Sequence, residues 1–459
     1  MPVSPEQNPP THDITPYALL SQVCNFAGSD QAKWWHSTAP LLCKLLINSN
    51  YDVHLQYKYL TLYREHVIPA LGPYPEQSEC GITATKWKSG MNRAGLPVEF
   101  NYNFSQAVVR VGVEPVGPFA GTDQNSFNAS AIHDYLHNLN RALPGLDLRR
   151  FFHLAEDLLA TEEEVRTILG SPKMLSAIGP WKTQTITAMD LQKSGEVLMK
   201  VYFYPQVKSR ATGIAEEKLL FDAMYKADPE GRLSNQFSNM KGYLAIRNSN
   251  STHSCSKLDG HGHNKDQTTS FFAYLLACDL VEPSKSRIKF YTAELQVDLD
   301  TVADVWTFGG RRTDPQTLAG LELLKLLWRL LPIREGFRPP PEGFSEIGKP
   351  AKETRIPLMF HFDMVEAHEF PEPQVYIPLF GEDDLAIVDG LTTFFRHVGW
   401  ESMAEHYKSN FLSYYGETDL TGVAHICSWL SFSYKNGTPY ISAYNHSFTK
   451  MWQANEADE

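Results

Sequence analysis

Three short segments of this chain repeat one small pattern. Lys200-Val-Tyr202, Lys289-Phe-Tyr291 and Gln374-Val-Tyr376 each place a hydrogen-bond donor, a spacer and a tyrosine within a strand-like run. The copies stand 89 and 85 residues apart (from 200 to 289, then from 289 to 374). Successive side chains on a strand face opposite ways, so donor and tyrosine share one face in every copy. In RIKFYT that face also carries Arg287, and a fourth strand, TPYISAYN, supplies Tyr440 and Tyr444. A repeat of this length points to duplicated supersecondary units. If the strands close into a barrel, the patterned faces converge on one lumen. The competing reading, charged faces turned outward to solvent, serves for one strand and fits three matched copies poorly.

The rest of the chain suits such a repeat. Helical periodicity predicts helices over 16–24, 34–47, 51–68, 131–140, 147–169, 216–227 and 314–331, the last with Asp314 as cap and Pro315 at its first position. Between them strand-like runs come in adjacent pairs, PVEFNYNF with VVRVGVEPV, TAMDLQ with VLMKVYFYP, and ICSWLSFSY with TPYISAYN. Helices alternating with strand pairs argue for an antiparallel sheet decorated by helices, an α+β arrangement, and against a βαβ parallel sheet. Residues 248–267 and 334–350 read as loops and 1–13 as a flexible start. The same strand chemistry continues across both loops, so residues 1–459 are expected to form one domain.

Composition limits the partners. A formal net charge of −12 argues against nucleic acid and anionic membranes, which want clustered Lys and Arg. Concentrated positive charge must then be local, and local positive charge suits a small anionic ligand. Six cysteines without a CxxC pair read as reduced thiols. The opening MPVSPEQNPPTHD has neither a basic start nor an apolar core, and LAGLELLKLLWRLLP is too short and too charged to span a bilayer. The expectation is a cytoplasmic protein.

Lys, Arg and Gln donors in a ring bind pyrophosphate by charge-assisted hydrogen bonds without a metal. Tyrosine faces stabilise a cation by ~0.5–2 kcal/mol each, and aromatic walls exclude water. The two together fit an allylic diphosphate that ionises to a carbocation. No DDxxD cluster is present, so the cations would have to neutralise the leaving group. Glu99, on the strand before the one bearing Arg110, could accept an N–H from an aromatic nucleophile. Taken alone, it reads more simply as a surface strand residue.

On the segments PVEFNYNF with VVRVGVEPVGP, KVYFYP, SRIKFYTAELQVDLDTVADVWTFGGR, QVYIPLFGEDD and SFSYKNGTPYISAYNHSF, the chain resembles the fungal indole prenyltransferases of the dimethylallyltryptophan synthase family. The resemblance runs over essentially the whole length. It implies a ten-stranded antiparallel β-barrel wrapped by helices, built from ααββ units, with the reaction chamber in the lumen. It implies that Glu99 holds the indole N–H and that Arg110, Lys200, Arg287, Lys289 and Gln374 hold the diphosphate of dimethylallyl diphosphate. Lys435 falls where some relatives have an arginine, which keeps charge and loses bidentate geometry. Tyr202, Tyr291, Tyr376 and Tyr444 would shield the cation, with Tyr440 close by. The resemblance implies no metal and no other cofactor, only the two small-molecule substrates, and leaves a homodimer open.

Members that use free tryptophan carry an arginine for its carboxylate one strand upstream of the RxKxY motif; an ungapped count finds Tyr274 there. Gly112 is smaller than its counterpart in some of those enzymes, and Thr187 stands where some have a proton-accepting lysine. Gly112, Tyr204 and Tyr274 are therefore expected to line an acceptor pocket for a tryptophan-containing cyclic dipeptide. Free tryptophan, tyrosine or another aromatic acceptor is the alternative. A non-catalytic barrel carrying an isoprenoid or aromatic ligand is a third reading, and has no need of Glu99. His261 in HGHN lacks a third ligand at useful spacing. FGGRR has too few glycines for a phosphate loop, and His361 in MFHFDM reads first as a core histidine.

Overall fold

The computed structural model describes residues 15–78, 81–178, 182–250, 270–338, 355–366 and 368–450. Ten antiparallel strands close into a barrel in simple chain order: β1 (Val98–Asn103), β2 (Val108–Val113), β3 (Thr185–Leu191), β4 (Val197–Phe203), β5 (Phe271–Asp279), β6 (Ile288–Glu294), β7 (Leu358–Asp363), β8 (Glu372–Pro378), β9 (Cys427–Lys435) and β10 (Thr438–Asn445). The last strand pairs with the first, Tyr444 lying opposite Asn101, so the main sheet has no open edge.

A pair of helices precedes each hairpin. These are α1 (Ser29–Asn48) and α2 (Val53–Leu62), α3 (Ala131–Ala142) and α4 (Arg149–Leu158), α5 (Glu216–Ala227) and α6 (Ser234–Asn250), α7 (Leu299–Trp306) and α8 (Pro315–Leu330), and α9 (Asp384–His397) and α10 (Glu401–Tyr414). Five ααββ units result. The three donor-x-Tyr copies lie on the second strand of successive hairpins, β4, β6 and β8, which explains their near-constant spacing. Those strands run the same way, so every donor sits towards the same end of the barrel and every tyrosine one step deeper.

The strands divide their residues by face. Phe100, Val111, Val201, Phe203, Phe290, Phe360, Phe362, Val375, Phe432 and Ile441 point outward and merge with the helices into the main core. A separate cluster of Leu275, Ala277, Tyr291 and Tyr376, with Tyr202, Tyr204, Tyr274, Met359, Trp429 and Tyr444 against it, lies in the lumen. The layers stay close because small residues sit where helices approach. A Cβ on Gly320 in α8 would come within 2.7 Å of Tyr434 and 2.8 Å of Trp306, and one on Gly390 in α9 would meet the Leu330 carbonyl oxygen.

Several boundaries differ from the sequence expectations. The helix expected over 147–169 is broken, because Thr161 and Glu164 form a capping box that starts a second helix, Glu162–Leu169. The helix expected over 51–68 begins after Asp52, whose carboxylate caps His54 N, widens into a π-helical turn over Tyr63–Val67 and ends in a 3-10 turn, Ile68–Ala70, that contains Pro69. Asn248–Asn250 finish α6 instead of opening a loop. Gly336–Phe337 pairs with Gln296–Val297, and Arg338 is buried and donates to the Ile356 carbonyl at 2.8 Å, so the start of the loop expected over 334–350 is structured. The remainder of both loops and residues 1–13 lie outside the described residues. Among the described residues, no helix is long and apolar enough to cross a membrane.

Candidate active site

Alternation on the strands carries the charged groups into the lumen, and hairpin geometry sorts them. At the end where odd strands turn into even ones, Arg110, Lys200 and Lys289 come from even strands and Asp190, Asp279 and Asp363 from odd ones, with Arg287 just before β6 and Lys435 at the end of β9. Arg110 on β2 lies opposite Asp190 on β3, and Lys200 on β4 lies opposite Asp279 on β5. Lys289 on β6 lies opposite Asp363 on β7, which in turn pairs with Glu372 on β8.

Each cation has an acidic neighbour. The Arg110 guanidinium donates to both Asp190 oxygens, one at 3.2 Å, and Lys200 donates to the same carboxylate. Arg287 donates to Asp279 at 2.7 Å and Lys435 to Asp363 at 2.7 Å. Burial works against charge on Asp190, yet Arg110 and Lys200 outweigh it and hold its carboxyl well below the usual range. Burial also brings Lys200 down to about 7, with Arg110 adding to the shift and Asp190 opposing it. Burial lowers Lys289 as well, against the pull of Asp363. Arg287, with half of its side chain exposed, stands at the rim. Gln374 is buried on β8 opposite His361.

One step along the barrel the tyrosines form a wall. Ring centroids are 5.8 Å apart for Tyr202–Tyr291, 6.0 Å for Tyr291–Tyr376 and 5.8 Å for Tyr376–Tyr444. Trp429 closes on Tyr376 at 6.3 Å. His361 is also in this wall, 5.1 Å from the Tyr291 ring, with Nδ1 3.3 Å from the Tyr376 hydroxyl. Burial lowers its pKa to about 4, which keeps the ring neutral although Asp363 favours the charged form. Tyr440 is half-buried opposite Ser433, nearer the cations than Tyr444 is.

The opposite end has a different character. Glu99 on β1 lies opposite Gly112 on β2, is only 6% exposed, and its Oε1 has no partner among the described residues. Burial raises its carboxyl to about 8. Tyr204 and Tyr274 meet edge to face with centroids 5.5 Å apart, Tyr274 sitting in a bulge of β5 between Ala273 and Leu275. Thr187 donates its hydroxyl to the Val113 carbonyl at 3.1 Å. The Met91 thioether lies over Gly112, 3.4 Å from where a Cβ would stand, and so occupies the room that glycine leaves. Of the described residues lining this cavity, Arg110 alone carries positive charge, and Asp190 holds it.

Sequence reasoning missed the aspartates. Asp190, Asp279 and Asp363 recur at 89 and 84 residues (from 190 to 279, then from 279 to 363), within one residue of the donors' 89 and 85, and that period was the available signal. It also missed Asn101, buried two residues beyond Glu99 with neither amide atom paired among the described residues. Met91, Met359 and Trp429 carry no polar signature that would mark them. Among the described residues, no group of three or more His, Cys, Asp or Glu is placed to hold a metal ion.

A closed ten-stranded barrel wrapped by helix pairs, with cations, tyrosines and a buried glutamate converging inside it, defines an aromatic prenyltransferase. Residues 30–410 match the family described as tryptophan dimethylallyltransferase, and the chain belongs to that family of indole prenyltransferases. It is 38% identical over 432 residues to a tryptophan dimethylallyltransferase of Arthroderma otae, covering 94% of this chain and 91% of that one. It is 36% identical over 438 residues to tryptophan dimethylallyltransferase 1 of Claviceps purpurea, covering 95% and 93%. Among solved structures, AnaPT from Neosartorya fischeri superposes with a TM-score of 0.79 at 30% identity, covering 95% of this chain and 99% of that one. NotF in complex with brevianamide F and DMSPP superposes with a TM-score of 0.77 at 29% identity, with the same coverage.

Proposed function

We propose that this enzyme transfers a dimethylallyl group from dimethylallyl diphosphate, without a metal, to the indole ring of a tryptophan-containing cyclic dipeptide. The diphosphate takes the cation end, held by Arg110, Lys200, Arg287, Lys289, Gln374 and Lys435. Heterolysis of the C1–O bond leaves the electron pair on diphosphate oxygen and an allylic cation among Tyr202, Tyr291, Tyr376 and Tyr444, with Tyr440 between them and the cations. Glu99 accepts the indole N–H, the indole π electrons form the C–C bond, and loss of the ring proton restores aromaticity.

The observation that carries the acceptor class is the charge at the Glu99 end of the lumen. That end offers Glu99, Tyr204, Tyr274 and Met91, and no free cation among the described lining residues. A free amino-acid carboxylate would enter there without a counter-ion, at a desolvation cost of several kcal/mol. A neutral dipeptide ring carries no such charge. The solved complex of NotF with brevianamide F and DMSPP, to which the chain is similar, supports this reading. Free tryptophan is the second reading, favoured by the names of the curated relatives.

Turnover of tryptophan-containing cyclic dipeptides and of free tryptophan, measured side by side with dimethylallyl diphosphate in excess EDTA, separates the two. The proposal expects kcat/KM for a dipeptide to exceed that for tryptophan by about tenfold or more. A preference for tryptophan would transfer the acceptor assignment to the second reading.

A further inference from the structure

Glu114 follows β2 at the rim of the Glu99 end and is almost wholly buried. Its carboxylate gathers donors from separate segments. Trp87 Nε1–H donates to Oε1 at 2.9 Å and the Thr183 hydroxyl to Oε2 at 2.8 Å. The Ser89 side chain and the Gly90 amide also face it and favour its charged form, against the burial that raises its carboxyl to about 7. Thr183 Oγ1 in turn accepts the Gly90 N–H at 2.7 Å, and Ser89 Oγ accepts the Met91 N–H at 3.1 Å. Trp87 packs on Val116 and Ala120, and Gly121, with φ +79°, approaches so closely that a Cβ would stand 2.9 Å from the Lys86 carbonyl oxygen. All these contacts fix the Trp87–Met91 segment, and Met91 is the residue whose thioether covers Gly112 beside Glu99.

We infer that Glu114 is a positioning residue for the acceptor: its carboxyl ties the Trp87–Met91 segment across the rim and so sets the depth and shape of the space above Gly112 and Glu99. A group that only filled volume here could be apolar, and a buried carboxyl is costly unless its partners satisfy it. Trp87 from this segment and Thr183, which also holds the Gly90 N–H, give each oxygen of this one a donor, which is the arrangement expected of an anchor. Among the described residues no ion pair reaches Glu114, whose partners lie at the Glu99 end and not at the cation end. The inference rests on the proposed seating of the acceptor at the Glu99 end.

The test is steady-state kinetics of Glu114→Ala and Glu114→Gln with the better acceptor of the panel above, varying each substrate in turn. Inorganic pyrophosphate binding and Tm serve as folding controls. The acceptor KM should rise about tenfold in Glu114→Ala, with the KM for dimethylallyl diphosphate within about twofold of wild type. Glu114→Gln, which keeps an oxygen for Trp87, should recover most of the loss. An unmoved acceptor KM, or both KM values rising together, overturns the inference. If Glu114→Ala does not fold, Thr183→Val, which removes only the hydroxyl joining Glu114 to Gly90, must raise the acceptor KM in the same direction, and a flat result there is equally fatal. Failure of the functional reading looks different, since wild type would then form no prenylated acceptor at all.

Discussion

Glu99 combines two properties that pull against each other. An indole N–H is held best by a carboxylate, yet burial raises this carboxyl to about 8. Between its ordinary value of 4.5 and about 8, the folded protein keeps a proton that the unfolded chain has released. The stability this confers is complete below the unfolded value and is lost as pH rises through about 8. Denaturant unfolding of wild type and Glu99→Gln at pH 5 and pH 9 should therefore show wild type losing ~2–4 kcal/mol more than the variant over that interval. Equal losses would mean that Glu99 is solvated. The same substitution should lower turnover about 100-fold while leaving the KM for dimethylallyl diphosphate nearly unchanged, measured under saturating acceptor. Lys200 shows the matching tension at the other end: burial and Arg110 bring it to about 7, and Asp190 is what keeps it from falling further.

At the scale of elements, what could be read from the chain depended on whether one strand carried its own signal. Lys200, Lys289 and Gln374 announced themselves by alternation within seven-residue strands, and register brought all three into one lumen. Asp190, Asp279 and Asp363 stand at the ends of the preceding strands, where a lone aspartate looks like a turn residue, and only the pairing shows what each faces. Closure into ten strands came from the resemblance, because alternation says which way a side chain points and not which strands are neighbours. Helices α7 and α9 went unread although Asp298 and Asp383 cap them as Asp314 caps α8. The apolar runs behind those caps are short and lie beside strand-like segments. The helix layer invites its own test. Gly390→Ala puts a methyl against the Leu330 carbonyl where α9 meets α8, and should lower unfolding free energy by about 1–3 kcal/mol. A variant as stable as wild type in urea would show that the two helices are not in close contact.

Across the whole molecule the usual distribution of polarity is turned around. The apolar faces of the strands point out to the helices, and the polar ones point into a closed lumen. A chain of net charge −12 thereby keeps five cations in one chamber, each against an acidic neighbour. Asp190 and Asp363 oppose the burial that draws Lys200 and Lys289 toward their neutral forms, and a diphosphate bound there would compete with these carboxylates for the same donors. The tyrosine wall lines the same cavity between that end and Glu99, so that in the proposed reaction the allylic fragment would stay among aromatic rings, away from water, while the indole attacks it.

The account stands on ionisation of the allylic diphosphate by protein cations alone and capture of the fragment by an indole. Purified enzyme incubated with dimethylallyl diphosphate and an indole acceptor in excess EDTA tests that directly, with prenylated acceptor followed by mass and released diphosphate counted in the same samples. The account predicts one C5 unit on the acceptor for each diphosphate released, and both lost together in Lys289→Met. Product that appears only when a divalent cation is restored, or diphosphate released without a C5-bearing acceptor, would contradict it.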